Sequence, residues 1–491
     1  MIAPDGLFVR LSIRSFDSKE MNIARSSIRV FVARATSSLV VFLGITYFAR
    51  ELGAYQMGIF FLFQALLGMI AIPADFGINS AVTKRLSEGE SPGSVLSTAL
   101  LLKGLLLLPF IAAILLFRGP INGYIGADLA LLLVLTLILQ EFAKLTMQVL
   151  KGELRVGQTA GPLFSRKLVY VSIGTVFVFM DAGVRGLIYG LFAGFAVMLV
   201  WGAWKSSTPF GPPSVKHARS LFDYSKYAFV SSIGGYFYSW MDIAIIGLFL
   251  TQADVGVYEI AWRVTALVML FSSSIGATIF PQVSQWDAED STERIESLLS
   301  EAIAPALFVA IPAFFGVILF SRDILGLVFG AEYTAGWLVL IILMGEKVVQ
   351  SVHIILGRSL QGIDRPDLAA KASIISMVLN LFMNVILVFE YGIVGAAVAT
   401  ALSFIVNSVL HAYYLSMFVS IRVPYARIAG CIAASAGMAI VLYTIESTVE
   451  IGSLSILLLI IILGVGAYVG FALIIPSSRS VLLDNLRRAV D

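Results

Sequence analysis

Long apolar stretches separated by short polar breaks run along nearly the whole chain. A helix needs about 20 apolar residues to cross a bilayer. That ruler marks about 14 runs, at 28–49, 57–74, 95–117, 127–148, 163–180, 184–204, 227–250, 256–280, 300–320, 334–356, 370–389, 393–416, 427–444 and 453–475. The pattern predicts an all-α polytopic membrane protein. Most connections are short, so consecutive runs are expected to form antiparallel hairpins.

The polar breaks carry a charge asymmetry. Of 33 Lys and Arg, only four are assigned to one set of connections (Arg50, Arg118, Arg322 and Arg185 at the start of its run), 23 to the termini and the other set (with Arg166, Lys167, Lys371 and Arg427, at or near run starts, counted there), and six to run interiors. Basic residues collect on the cytoplasmic side of membrane proteins, so both termini are expected there, in a multi-pass protein of the cell membrane. The acidic loop "SQWDAEDSTERIESLLSEA" falls on the same side. Acidic residues weigh little in that rule, and the loop's length suggests an amphipathic interfacial helix.

Composition closes off other classes. With 59% hydrophobic and 13% charged residues and a mean hydropathy of +0.93, the chain lies outside the range of soluble domains, which are about a quarter charged. A net charge of +2 arises from residues clustered between apolar runs and gives no sign of nucleic-acid binding. Cys431 is the one cysteine, so no internal disulfide can form, and His217, His353 and His411 lack metal-ligand spacing; neither metal nor cofactor is expected. Residues 1–27 hold Arg10, Arg14, Lys19 and Arg25 without the apolar core of a cleavable signal peptide. There is no GxxxxGK[ST] phosphate loop and no appended domain of useful size, which argues against ATP hydrolysis and against a membrane-embedded polymerase or transferase.

The two halves echo each other. "ELGAYQMGIFFLFQALLGM" is matched by "LTQADVGVYEIAWRVTALV", aligning Gly58 with Gly256, and the same polar turn followed by glycine recurs at "DAGVRGLIYG", "EYTAGWLVL" and "EYGIVGAAVAT". Glycine there permits either close helix approach or a tight turn. Internal repeats are common in transporters and suggest two bundles facing a shared cavity.

Taken in order, these segments resemble a known family. "FARELGAYQMGIFFLFQALLGMIAIPADFGINSAVTKRLSE" (48–88) is similar to the opening hairpin of the polysaccharide biosynthesis and export family, the Wzx-like oligosaccharide flippases of the multidrug/oligosaccharidyl-lipid/polysaccharide (MOP) superfamily. "MDIAIIGLFLTQADVGVYEIAWRV" carries that family's intramembrane Asp and its glycine entry, here Asp242, Gly247, Gly256, Tyr258 and Ala261. "LVFGAEYTAGWLVLIIL" and "LQGIDRPDLAAKASIISMVLNLFMNVILVFEYGIVGAAVATALS" resemble its later helices, so that the likeness covers roughly 26–445.

The resemblance implies a carrier of two pseudo-symmetric six-helix bundles around a central cavity, plus a C-terminal helix pair. It would move a lipid-linked oligosaccharide from the cytoplasmic to the outer leaflet by alternating access, driven by membrane potential or an ion gradient. In this chain the expected parts are an N-terminal segment 1–27, bundles 28–204 and 227–416 joined by a linker 205–226, the pair at 417–475 and a tail 476–491. Partners would be the glycan lipid, membrane lipids, and glycosyltransferases or a polymerase of the same pathway. A multidrug or organic-cation exporter of the superfamily shares the architecture, so fold alone does not choose.

Moving a sugar head group through oil costs several kcal/mol for each unpaired hydroxyl, and its phosphate calls for cations. The cations assigned to run interiors are Arg29, Arg34, Lys103, Lys144, Arg263 and Lys347. Arg29 and Lys144 lie close enough to run ends to snorkel, leaving Arg34, Lys103, Arg263 and Lys347 as candidate substrate-binding residues and Glu141, Asp242 and Glu346 as ion-coupling or pairing groups. Counting 1.5 Å per residue puts Lys103 level with Glu141 and Asp242 level with Arg263 in neighbouring antiparallel runs. Each pair reads either as a structural bridge or as cavity lining. Glu346 and Lys347 project about 100° apart, so at least one should need another partner. Tyr236, Phe237, Tyr238 and Trp240 suit packing or sugar contact, Asn380 and Asn384 suit hydrogen bonds between helices, and His353 or His411 suits a proton relay.

Overall fold

The computed structural model describes the backbone of residues 6–490 and the side chains of 36, 38–229 and 240–483. Arg29, Arg34, Tyr236, Phe237 and Tyr238 lie outside the described side chains. All regular structure among the described residues is helical: α1 Gly6–Asp75, α2 Ile78–Ser87, α3 Pro92–Leu116, α4 Arg118–Ile125, α5 Ala130–Gly152, α6 Ala160–Phe179, α7 Gly183–Lys205, α8 Val215–Phe249, α9 Gln252–Ala266, α10 Met269–Ala288, α11 Thr292–Phe329, α12 Trp337–Gly362, α13 Pro366–Ser416, α14 Tyr425–Glu446, α15 Leu454–Ile474 and α16 Pro476–Val490.

Ten of these helical stretches are long and apolar enough to cross a membrane, or eleven when α9 and α10, bent by 51° at their junction, are taken as one span. Part of the difference from the 14 expected runs has a local cause. Runs one and two follow each other within α1 across Gly53 (φ 75°, ψ 174°), and runs eleven and twelve follow within α13 across Gly392 (φ 60°, ψ −142°). Both conformations are ones that a residue with a Cβ resists. The acidic segment is not a separate interfacial helix. α10 continues to Ala288 and α11 starts at Thr292, so it forms the tight turn and flanking helix ends between them.

The chain divides into two compact units: Met1–Phe48, Leu67–Gly123 and Ala127–Ile233 form the first, and Ala49–Leu66, Tyr124–Gly126 and Gly234–Asp491 the second. In the first unit, α2, α3 and α5 close over Ile78, Val82, Val95, Leu145 and Val149. α6 and α7 approach backbone to backbone, because Gly190 lies against the Tyr170 carbonyl and Gly194 against the Arg166 carbonyl.

One corner of the first unit is held by a carboxylate. Glu153, just past α5, accepts hydrogen bonds from the Ser206 and Thr208 hydroxyls and the Ser207 and Thr208 amides at 2.7 to 2.9 Å, and pairs with Arg155 at 2.9 Å. Partial burial works against its charge, yet the donors from Thr208, Ser206, Arg155 and Ser207 outweigh it and hold the carboxyl down to about 2 from its ordinary 4.5. A depressed acid contributes stability above its unfolded value and loses it as pH falls through the folded one. Wild type should therefore melt above Glu153→Gln at pH 6, with the gap closing between pH 4.5 and about 2. Melting curves in detergent across that window test it; a gap that does not change with pH would remove the assignment.

In the second unit, the 49–66 segment of α1 is clasped by later elements. The break at Gly53 leaves helix-start N–H groups without carbonyl partners, and Glu332 accepts the Ala54 N–H at 2.7 Å while Arg50 reaches the Leu327 carbonyl at 3.2 Å. Tyr124 donates its hydroxyl to the Ala244 carbonyl at 2.9 Å, and Gln252 donates to the Tyr124 carbonyl at 3.4 Å. Gly58 and Gly256 meet reciprocally: a Cβ on Gly58 would strike the Gln252 carbonyl, and a Cβ on Gly256 the Ala54 carbonyl, each four residues before the opposite glycine. The two halves of the repeat thus cross at the position where the sequence aligns them. α14 and α15 pack on α11, where the Tyr468 ring lies tilted against Phe308 at 5.0 Å and its hydroxyl donates to the Phe308 carbonyl at 2.9 Å.

Candidate functional site: buried ions in each unit

Asp242 lies near the end of α8 in the second unit. Its Oδ2 accepts hydrogen bonds from the hydroxyls of Tyr258 and Thr400, both at 2.6 Å, and its Oδ1 accepts one from the Asn384 amide at 2.9 Å. Asn384 comes from α13 before the Gly392 break and Thr400 from after it, and Asn380 donates to Thr400 at 3.4 Å. Both carboxyl oxygens are thus engaged by polar side chains. The asparagines bond to neighbouring helical segments as their i, i+4 spacing suggests, Asn384 to Asp242 and Asn380 to Thr400.

Arg263 is not the partner of Asp242. It pairs with Glu259 at 2.7 Å, lies over the Phe61 ring at 4.8 Å and reaches Gln64 at 3.5 Å. The reason is local: Glu259 stands one turn earlier on the same helix face, so the ion pair forms within α9, and α9 ends at Ala266 before the bend. The i, i+4 Glu-Arg spacing in "YEIAWR" was the available signal. Glu346 and Lys347, expected to need separate partners, instead approach each other at 2.7 Å; flexible side chains close the angle that their Cβ directions open. Lys347 also lies 5.7 Å from the Trp262 ring centre.

These groups surround a cavity of about 150 Å³ lined by Asp242, Tyr258, Glu259, Lys347, Gln350 and Thr400, among others. At about 30 Å³ per liquid water this is room for a few molecules. Several enclosed acceptors in the second unit, Asn384 Oδ1, Gln350 Oε1, Asn407 Oδ1 and both Glu346 oxygens, have no aligned hydrogen-bond donor. Further along, the His353 and His411 rings meet edge to face at 4.5 Å.

In the first unit Lys103 is fully buried and bridges Glu141 at 2.9 Å, Asp75 at 2.7 Å and the Asn79 side chain at 3.1 Å; Lys144 pairs with Glu141 at 3.2 Å. The depth match thus brings Lys103 and Glu141 together. Asp75 escaped the sequence reading. It sits at the end of α1, where Phe76 (φ 47°) and Gly77 (φ 79°) turn the chain, and accepts the Asn79 N–H as α2 begins. An Asp ahead of a glycine turn and a helix start was the readable sign.

Arg166 also escaped: it lies three residues into the run 163–180 but is grouped with the basic flank beside Lys167. It lies on the face of α6 that packs against α7, its guanidinium 5.1 Å from the Phe195 ring centre and its Nε enclosed without a hydrogen-bond partner. The second unit's cluster holds three carboxylates (Asp242, Glu259, Glu346) against two cations (Arg263, Lys347). In the first, Lys103 and Lys144 face Asp75 and Glu141, two cations against two carboxylates, and Arg166 stands apart from them against Phe195.

Residues 29–336 match the family described as polysaccharide biosynthesis protein. In Haloferax volcanii, the "Probable low-salt glycan biosynthesis flippase Agl15" is 54% identical, the alignment covering 96% of this chain and 100% of that one. The "Probable flippase AglR" of the same organism is 29% identical over 93% and 96%. Among solved structures, the lipid II flippase MurJ in an inward closed conformation has a TM-score of 0.77 at 18% identity, covering 91% of this chain and 98% of that one. An inward-facing MATE-family multidrug resistance transporter has a TM-score of 0.64 at 15% identity, covering 79% and 97%. Buried, paired ions on apolar helices, the match over 29–336 and the full-length relative agree. The chain belongs to the polysaccharide biosynthesis protein family, as a polytopic membrane transporter rather than an enzyme.

Proposed function

We propose that the protein is a flippase for a lipid-linked oligosaccharide, a glycan on a polyprenyl phosphate or pyrophosphate, carried from the cytoplasmic to the outer leaflet by alternating access of two six-helix bundles. Both termini face the cytoplasm in this reading. Full-length similarity to a relative named as a glycan biosynthesis flippase supports the substrate class. The observation that carries the mechanism is the polar cavity around Asp242. A charge at the bilayer centre costs at least about 2.5 to 3.5 kcal/mol on insertion scales, and three hydrogen bonds hold this one beside Lys347.

In this mechanism Asp242 is the ion-coupling group. Its donors come from both sides of the Gly392 break, so a change in what Asp242 binds would bear on the angle between the halves of α13. Lys103, Arg263 and Lys347 are held by carboxylates and give the interior a fixed pattern of charge. Asp242→Asn keeps the size and removes the charge. It is expected to insert and fold but to lose at least about 90% of transport, read as outer-leaflet appearance of a labelled glycan lipid in proteoliposomes. Transport by the variant at the wild-type rate would refute the coupling role.

A further inference from the structure

Phosphate recognition needs positive charge that the protein has not already neutralised. The deep cations of both units mostly fail that requirement. Lys103 has Asp75 and Glu141, Lys144 has Glu141, Arg263 has Glu259, and Lys347 has Glu346. Arg166 is different: among the described residues no carboxylate lies within ion-pair distance of it.

Its position is set rigidly. The Arg166 carbonyl rests on Gly194, which a larger residue would displace, and the guanidinium lies against Phe195 at that same level of α7. Phe195 stands ten residues, about 15 Å, before the end of α7 at Lys205. The charge is thus directed along the neighbouring ring instead of toward the helix end, where a snorkelling arginine would go.

Other buried donors near it also lack acceptors. In the helices α5 to α7 the enclosed nitrogens without partners are Gln140 Nε2, Arg166 Nε and Trp201 Nε1, beside the oxygens Thr136 Oγ1 and Glu141 Oε2 of α5. Gly202 packs on Thr146, so Gln140, six residues earlier on α5, is level with residue 196 of α7, beside the Arg166 level. Buried donors without acceptors are costly until an acceptor arrives. The second unit has mainly the opposite deficit, enclosed acceptors without donors.

We propose that Arg166 is an anion-binding residue of the first unit that receives the phosphate of a lipid head group, with the neighbouring neutral donors completing the phosphate's hydrogen bonds. The guanidinium fork suits a phosphate's paired oxygens, and its Nε–H has no partner in the protein. The assignment rests on the flippase reading for one point only, that the phosphate belongs to a polyprenyl anchor; an ordinary phospholipid offers the same chemistry.

The test measures binding and does not depend on transport. The purified full-length chain in nanodiscs is titrated with polyprenyl monophosphate and, separately, with phosphatidylglycerol, using native mass spectrometry to count bound lipid. Arg166→Gln is compared with Arg166→Lys and with Lys84→Gln, an exposed cation paired with Glu88. Arg166→Gln should weaken polyprenyl phosphate binding at least about tenfold, Arg166→Lys less because charge remains without the fork, and Lys84→Gln not at all. A loss confined to polyprenyl phosphate assigns the site to the carried anchor, and an equal loss of phosphatidylglycerol assigns it to membrane phospholipid. If wild type binds polyprenyl phosphate and Arg166→Gln binds it equally, the site is refuted while the flippase reading stands. If wild type binds neither lipid, both fall.

Discussion

Lys103→Met is expected to destabilise the protein by about 3 to 5 kcal/mol, the cost of removing one partner from a buried ionic network. Lys103 has no exposed surface, and its ammonium lies 2.7 Å from Asp75 and 2.9 Å from Glu141. Methionine matches its length and removes the charge, leaving Glu141, also fully buried, with only the half-exposed Lys144. The two carboxylates would then repel each other across a space the ammonium had filled. The same reasoning predicts rescue: Lys103→Met with Glu141→Gln removes a charge of each sign and should regain part of the loss, because trading a whole pair for neutral groups costs less than orphaning one member. Melting temperatures of the single and double variants, purified in one detergent, decide it. A single variant as stable as wild type, or a double variant worse than the single, would show that the network is not what holds α1, α3 and α5 together at this point.

The second large effect is steric. Gly58→Val and Gly256→Val are each expected to abolish the native crossing between the 49–66 segment of α1 and α9. Overpacking a core costs about 1 to 3 kcal/mol when neighbouring side chains can turn aside. Here the obstacles are the backbone carbonyls of Gln252 and Ala54, which cannot rotate away without unwinding their helices. The cost should lie at the upper end of that range or above it. Gly466→Val is the control, since a Cβ at Gly466 meets nothing within 4 Å. Yield of monodisperse protein and melting temperature should fall steeply for Gly58 and Gly256 and little for Gly466. Indistinguishable values for the three would contradict the close approach.

The difference between these two regions explains how far the sequence could be read. Apolar run length follows directly from bilayer thickness, so α3, α5, α6 and α7 could be read with little error. Where two runs join through one glycine, as at Gly53 and Gly392, hydropathy cannot tell a loop from a break inside a helix, because both are a short polar gap. The acidic stretch before Ala302 was misread for a related reason. Composition marks it as lying outside the membrane, but its helix ends are set by the packing of α10 and α11.

Charges were harder still. Depth counting paired Lys103 with Glu141 correctly because α3 and α5 run straight through that level. It failed for Asp242 and Arg263 because α9 stops at Ala266 and bends, and because Glu259 lay one turn from Arg263. Depth narrows the choice to a level; which way each side chain turns at that level depends on helix rotation.

What the sequence determined by itself was the kind of molecule: a chain of apolar helices with few buried charges, an internal repeat that aligns Gly58 with Gly256, and an Asp at 242 that needed a reason to be there. Tertiary structure decided the reason. Tyr258, Asn384 and Thr400 converge on Asp242 from three helical segments separated by up to 158 residues, while among the described residues no carboxylate comes within ion-pair distance of Arg166. Hydrophobicity is a property of each residue and can be summed along the chain. Pairing is a property of two side chains brought within about 3 Å, and only the folded backbone sets that distance.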